Sequence, residues 1–105
     1  MDNDKIDLNE CREKINDIDE NMAYEFEERM RIVGKIAKYK MQNNLSTYDP
    51  QRESIIKNRN KCYISPELQK YYVQFFDEIL YLSKQYQNDR RKAESNLSNK
   101  EELEK

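Results

Sequence analysis

Apolar residues recur every three or four positions between Leu8 and Lys40, which is the spacing of one face of an α-helix. Placed at about 100° per residue, they fall within an arc of about 120°. Arg29 and Lys40 lie near the middle of this arc, and Arg12 and Asp19 lie at its edge. A buried charge is costly unless it is paired, so the helix is predicted to direct cations toward an anionic group. The apolar stripe consists of Leu8, Cys11, Ile15, Ile18, Met22, Phe26, Met30, Val33, Ile36 and Ala37.

This first helix is predicted to begin after Asp7, whose carboxylate can cap the backbone, with Glu10 as its partner in a capping box. It is predicted to end near Asn43 and Asn44. A helix of about 33 residues is on the order of 50 Å long, which exceeds the width of a compact domain of this size. We therefore expect it to pack against a second copy of the chain.

A short second helix is predicted to begin with Asp49 as its N-cap and Pro50 at its first position. It runs to about Lys61, and the pattern places Ile55 and Ile56 on its inward side. Together with the first helix and the one that follows, it predicts an all-α chain.

The third helix is predicted to begin at Ser65-Pro66-Glu67, where an N-cap, a proline and a first-turn acid follow one another. Ser83 and Gln87 lie one turn apart on the shoulder of its apolar face. The segment 89–105 is mostly polar and is predicted to be a frayed helical extension or disordered. We expect one helical domain over residues 1–88. The predicted buried residues of this helix are Leu68, Tyr71, Tyr72, Phe75, Phe76, Ile79, Leu82 and Tyr86.

Composition favours a helical chain that shares its core with a partner. Of the 105 residues, 36% are hydrophobic, which is low for a self-contained core, and only one is Gly. A net charge of −2 and a pI near 5.3 argue against nucleic acid or anionic lipid as partners. No apolar run has membrane-spanning length. Because the N-terminus lacks a signal-peptide pattern, Cys11 and Cys62 are predicted to be free thiols in a reducing cytoplasm.

The residue types exclude several kinds of active site. The chain has no His, so it has no Ser-His-Asp or Cys-His system and no ordinary zinc site. Gly34 falls inside a predicted helix, so there is no glycine-rich phosphate loop. We expect neither a metal nor a cofactor. Arg29 and Lys40 lie about 16 Å apart along one helix, and their long side chains can grip opposite ends of a small dianion.

Each of these residues also has an ordinary structural explanation. A Lys or Arg on an apolar stripe is more often a snorkelling side chain or part of an ion pair than a ligand contact. Asp49 caps a helix with or without another role. Arg52 and Glu53 fit a charged first turn, and the Ser/Gln pair fits a polar edge. Residue types alone leave the question open.

Four short motifs occur in order between residues 8 and 87. They are Leu8-x-x-x-Arg12-x-x-Ile15-x-x-Ile18-Asp19, Arg29 with Val33-Gly34-x-Ile36-Ala37-x-x-Lys40, Asp49-x-x-Arg52-Glu53, and Ser83-x-x-x-Gln87. Each fragment is weak alone. Their order and separations together resemble the stand-alone AroQ-class (type II) chorismate mutases, the all-helical enzymes that convert chorismate to prephenate on the way to phenylalanine and tyrosine.

The resemblance implies an intertwined homodimeric bundle of one long, one short and one medium helix, with active sites shared between the chains. Arg12 would reach in from the partner protomer and bind the carboxylates of chorismate together with Arg29. Lys40 and Gln87 would flank the ether oxygen, and Glu53 would hold the ring hydroxyl. The reaction is a unimolecular rearrangement that needs no nucleophile, metal or cofactor. The remaining polar lining would come from Asp49, Arg52 and Ser83.

Other functions remain open from the sequence. An isochorismate-pyruvate lyase would share this fold and its cations, although Asp49-x-x-Arg52-Glu53 favours the mutase. A non-catalytic helical dimer is the alternative from another class, but a plain coiled coil should not carry Arg29 and Lys40 in its seam. Association with a separate, larger enzyme of the aromatic pathway is a third possibility.

Overall fold

The computed structural model describes residues 5–103, apart from the side chains of residues 98 and 101–103. Residues 1–4 and 104–105, at the ends of the predicted domain and tail, lie outside this range. The described residues form no strand, which confirms the all-α class. Three α-helices occur, α1 (Leu8–Gln42), α2 (Pro50–Lys61) and α3 (Gln69–Leu103), and a 3-10 turn (Pro66–Leu68) precedes α3.

The chain divides into two compact units, Met1–Arg31 and Ile32–Lys105, and α1 contributes to both. In the first unit, Asp7 caps α1, because its Oδ1 accepts hydrogen bonds from the backbone N–H groups of Asn9 (2.9 Å) and Glu10 (3.1 Å). The Glu10 carboxylate lies 3.9 Å from Lys14 Nζ. The predicted cap therefore forms through Asp7, while Glu10 pairs along the helix surface instead of completing a capping box.

The apolar stripe of the first unit is exposed within the single chain. Its side chains retain large accessible fractions, from 60% at Leu8 to 44% at Phe26. A contiguous exposed apolar face is typical of a surface that packs against another protein. The same face includes Ile15, Ile18 and Met22.

In the second unit, α1 ends in a hydrogen-bonded turn around Asn44, close to the predicted end. Asn44 has a φ of 55°, in the left-handed region that Asn tolerates better than most residues. Its N–H donates to Met41 O (3.3 Å), and Leu45 N–H donates to Lys40 O (2.8 Å). This Schellman arrangement satisfies the last carbonyl groups of α1 and fixes the direction of the loop that follows.

The N-cap of α2 is the one predicted. Asp49 Oδ1 accepts a hydrogen bond from Arg52 N–H (3.1 Å), and Pro50 occupies the first helical position. The inward face is only partly the one predicted, because Ile56 is half-buried while Ile55 remains 54% exposed. The half-buried positions include Glu53 and Ile56, three residues apart, so the face is centred away from Ile55.

Asp49→Ala is expected to lower the free energy of unfolding by about 1 kcal/mol, because it removes the cap of α2. Urea unfolding followed by circular dichroism measures this loss. Asp49→Asn is the matched control, since asparagine caps as well as aspartate but carries no charge. If both variants lost stability equally, the capping role would be contradicted.

The beginning of α3 differs from the prediction. Ser65 makes no side-chain capping bond; instead, Leu68 N–H donates to Ser65 O (2.9 Å) within the 3-10 turn. The α-helix proper starts at Gln69, whose Nε2 donates to the carbonyl groups of Lys61 (3.1 Å) and Ile64 (3.0 Å). The Gln69 side chain thus ties the start of α3 to the end of α2.

The buried face of α3 is rotated relative to the predicted one. Among its described side chains, those of Phe76, Leu80, Ser83 and Gln87 are buried. Leu68, Tyr71 and Phe75, which were predicted to be buried, are exposed. The aromatic residues of this helix form a wide arc, so periodicity alone did not show which part of the arc faces inward. Half-buried residues complete the face, namely Tyr72, Ile79, Leu82 and Tyr86.

Small residues of α1 form the other side of this core. Val33, Gly34 and Ala37 are buried, whereas Ile36, also in the predicted stripe, stays 43% exposed. A Cβ atom at Gly34 would lie 3.5 Å from Tyr86 Cε1, which is van der Waals contact. The Tyr86 ring of α3 therefore packs directly beside this part of α1.

The charged segment after residue 88 is helical as far as Leu103, so α3 is longer than the medium helix predicted. Its described part contains good helix formers such as Lys, Glu, Ala and Arg and no Gly or Pro. Arg91, within this segment, is half-buried.

Candidate functional site

Lys40 lies in the last turn of α1 and is half-buried. Its Nζ donates a hydrogen bond to Thr47 O (3.2 Å) in the loop before α2. A cation at this position also interacts favourably with the carbonyl end of the helix. The loop therefore holds the Lys40 ammonium group through one hydrogen bond and leaves it other N–H groups for a ligand.

The start of α2 places three predicted residues in different environments. Asp49 uses Oδ1 for the cap, and its carbonyl accepts a hydrogen bond from Glu53 N–H (3.1 Å). The Arg52 guanidinium is exposed and makes no hydrogen bond or ion pair within the part of the chain described. The Glu53 side chain is only 18% exposed. Of these three side chains, that of Glu53 is the one most enclosed by protein.

Glu53 pairs with Lys84 of α3. Lys84 Nζ lies 3.0 Å from Oε1 and 3.4 Å from Oε2 of the carboxylate, and 5.0 Å from the centroid of the Tyr48 ring. No sequence pattern singled out Lys84. Its position directly after Ser83 was a weak signal, but helical spacing cannot pair a residue of α3 with one of α2.

Ser83 and Gln87 lie at the centre of the buried face of α3, not on its shoulder as predicted. Their exposed fractions are 5% and 7%. Ser83 Oγ donates to Ile79 O (2.7 Å). Gln87 Oε1 is buried and accepts no hydrogen bond from the residues that the structure describes. The Gln87 amide is therefore a polar group enclosed within the inward face of α3.

Arg12 and Arg29 belong to the first unit. Arg12 is exposed and Arg29 is half-buried. At 1.5 Å per residue they lie about 26 Å apart along the axis of α1. This separation is too long for both guanidinium groups of one chain to bind the carboxylates of one small dianion.

Arg91, which no sequence motif indicated, lies beside a cavity of about 590 Å³ in the second unit. Its Nη2 donates to Leu45 O in the turn after α1. The cavity lies between the end of α1 and the last turns of α3, and Lys40 is the predicted site residue on its wall. Glu53 and Gln87 do not line it, so we do not assign it as the functional site. Arg91 follows Gln87 by one helical turn, a spacing that does signal its inward position.

Residues 11–88 match the profile of a known family, chorismate mutase type II. The match covers more than half of the chain and includes three of the four motifs in full and the first motif from Arg12 onward. The chain belongs to the chorismate mutase type II family. Comparisons with curated proteins and with solved structures found no match.

Membership of the chorismate mutase type II family makes the chain an isomerase-class enzyme and links it to aromatic amino acid biosynthesis. Lys84 lies inside the matched residues, whereas Arg91 lies beyond them. No helix in the described range is long and apolar enough to cross a membrane. The second unit contains the Lys40 ammonium group, the Glu53 carboxylate and the buried Gln87 amide, and groups of these kinds bind polar ligands without covalent chemistry.

Proposed function

We propose that this enzyme converts chorismate to prephenate by a unimolecular Claisen rearrangement. The observation that carries the proposal is the burial of the polar Gln87 side chain at the centre of the inward face of α3. A packed core alone would favour an apolar residue there. Because the chain belongs to the chorismate mutase type II family, we infer that this polar side chain contacts chorismate.

Catalysis in this proposal is electrostatic. Negative charge grows on the ether oxygen as its bond to the ring breaks, and a preorganised donor stabilises that charge. Lys40 donates from its ammonium group, and Gln87 donates from Nε2. Because Thr47 O already holds the Lys40 side chain, little reorganisation is needed in the transition state.

Binding residues hold chorismate in a reactive conformation. Arg12 and Arg29 bind its two carboxylates, since a guanidinium can donate two parallel hydrogen bonds to a carboxylate. Glu53 accepts a hydrogen bond from the ring hydroxyl. Asp49, Arg52 and Ser83 complete the polar lining.

The active form is a homodimer in which Arg12 acts on the site of the partner protomer. Two features of the first unit support this. The apolar face from Leu8 to Phe26 is exposed in the single chain, and Arg12 lies about 26 Å along α1 from Arg29. Exposed free thiols at Cys11 and Cys62 suit the reducing cytoplasm as its location.

Chorismate incubated with the purified protein is expected to disappear and to yield prephenate. The decay of chorismate absorbance gives the rate, and chromatography of the products identifies prephenate. Heat-inactivated protein is the control for the spontaneous reaction. If the protein released pyruvate from isochorismate and left chorismate unchanged, it would be a lyase and not a mutase. A folded dimer that acts on neither compound would contradict the proposed function.

A further inference from the structure

Among the residues that the structure describes, two ion pairs join α2 to α3, and their carboxylates differ in exposure. Lys57 Nζ lies 2.7 Å from Asp77 Oδ1, but the Asp77 side chain is 51% exposed and neither residue belongs to the proposed site. The two lysines are about equally exposed, Lys57 at 33% and Lys84 at 32%, but the Glu53 side chain is only 18% exposed. Water screens an exposed pair strongly, so its effect on geometry is small. The carboxylate of the Lys84–Glu53 pair is therefore better shielded from water than that of the Lys57–Asp77 pair.

A third element, the loop before α2, also restrains Lys84. Its Nζ lies 5.0 Å from the centroid of the Tyr48 ring, within the range of a cation–π interaction. Tyr48 belongs to the loop before α2, Glu53 to α2 and Lys84 to α3. A flexible lysine that contacts both a ring and a carboxylate loses most of its rotamer freedom, and so does the carboxylate it holds.

We propose that Lys84 is a positioning residue that sets the orientation of the Glu53 carboxylate toward the ring hydroxyl of the substrate. This inference rests on the proposed function. Each carboxylate oxygen has two acceptor sites, so the bond to Lys84 leaves sites on both oxygens for the hydroxyl. Lys84 thereby raises the affinity for the substrate and the preference for a hydroxylated ring. It acts through Glu53 and does not contact the ether oxygen.

Lys84→Met is expected to raise the KM for chorismate by about tenfold, because a carboxylate without its charged partner is poorly oriented for the hydroxyl. The kcat should change by less than about twofold, since the hydroxyl is bound equally in ground and transition states. Lys84→Arg should restore the KM, because a guanidinium also reaches both carboxylate oxygens.

Lys57→Met is the matched control, since it also removes an ion pair between α2 and α3. It should leave KM and kcat within about twofold of wild type. Thermal unfolding of both variants reports any difference in stability. If Lys57→Met and Lys84→Met raised the KM equally, the effect would come from helix packing and the inference would be overturned.

A double-mutant cycle with Glu53→Gln tests whether Lys84 acts through Glu53. In the Glu53→Gln background, Lys84→Met should change KM by less than about twofold, because the group it positions has been altered. An undiminished effect in that background would show that Lys84 acts elsewhere. Wild-type protein that fails to convert chorismate would instead overturn the proposed function itself, and this inference with it.

Discussion

Replacing Lys40 with alanine is expected to lower the kcat for prephenate formation by at least about 100-fold, the scale seen when one preorganised donor is removed. Lys40 is half-buried and its Nζ is already hydrogen-bonded to Thr47 O at 3.2 Å, so the charge is held in place before the substrate binds. Without the Lys40 ammonium group, only the Gln87 amide would stabilise the negative charge that grows on the ether oxygen. Steady-state rates at saturating chorismate measure the effect.

Lys38→Ala is the matched control for this prediction. Lys38 is exposed and lies two residues before Lys40 near the end of α1. It does not belong to the proposed site. It should retain wild-type kcat. Circular dichroism and thermal unfolding should show both variants folded, because neither change removes a buried apolar group. Near-normal turnover in Lys40→Ala would contradict the role assigned to Lys40.

Helix boundaries were predictable where the signal is local. Asp7, Asp49 and Asn44 act through their own side chain or their own φ within a few residues, so sequence alone suffices to place the ends that they mark. Ser65 precedes the helical turn but makes no side-chain cap, and the side chain of Gln69 ties the start of α3 to the end of α2. That contact depends on how two helices meet.

The inward face of α3 was harder to predict. Leu80, Ser83 and Gln87 are buried, whereas Tyr71 and Phe75 are exposed, because the orientation of this helix is set by packing with other elements. Hydrophobicity favoured the aromatic residues over a serine and a glutamine. Ser83 tolerates burial through its bond to Ile79 O, and no apolar scale includes that compensation.

Motif spacing predicted which residues belong to the candidate site, but it did not predict the contacts between them. Glu53 and Ser83 are assigned roles in the site by the family resemblance alone, and these roles stay predictions. Lys84 and Arg91 were missed because each acts across elements, on Glu53 and on the Leu45 carbonyl. Long-range pairs of this kind are fixed by the tertiary fold, which one sequence does not reveal.

Arg12→Ala is expected to abolish chorismate mutase activity without dissociating the dimer. Arg12 is exposed and makes no hydrogen bond or ion pair within the described chain, so its loss removes no intrachain contact. Its proposed partner is a substrate carboxylate in the site of the other protomer. Size-exclusion chromatography with light scattering should show the same dimeric mass for the variant and wild type. Arg31→Ala, which removes only the surface pair with Glu27, is the control and should remain active.

Mixing Arg12→Ala with Arg29→Ala protein is expected to restore activity that neither variant has alone. In a mixed dimer, one site receives both substituted residues and the other receives both native arginines. With equal amounts and random exchange, half of the dimers are mixed and each has one intact site, so the mixture should reach about one quarter of the wild-type rate. Subunit exchange is confirmed independently by native mass spectrometry of differently tagged chains. Absence of rescue despite confirmed exchange would show that each site takes both arginines from one chain, which the separation of about 26 Å along α1 argues against.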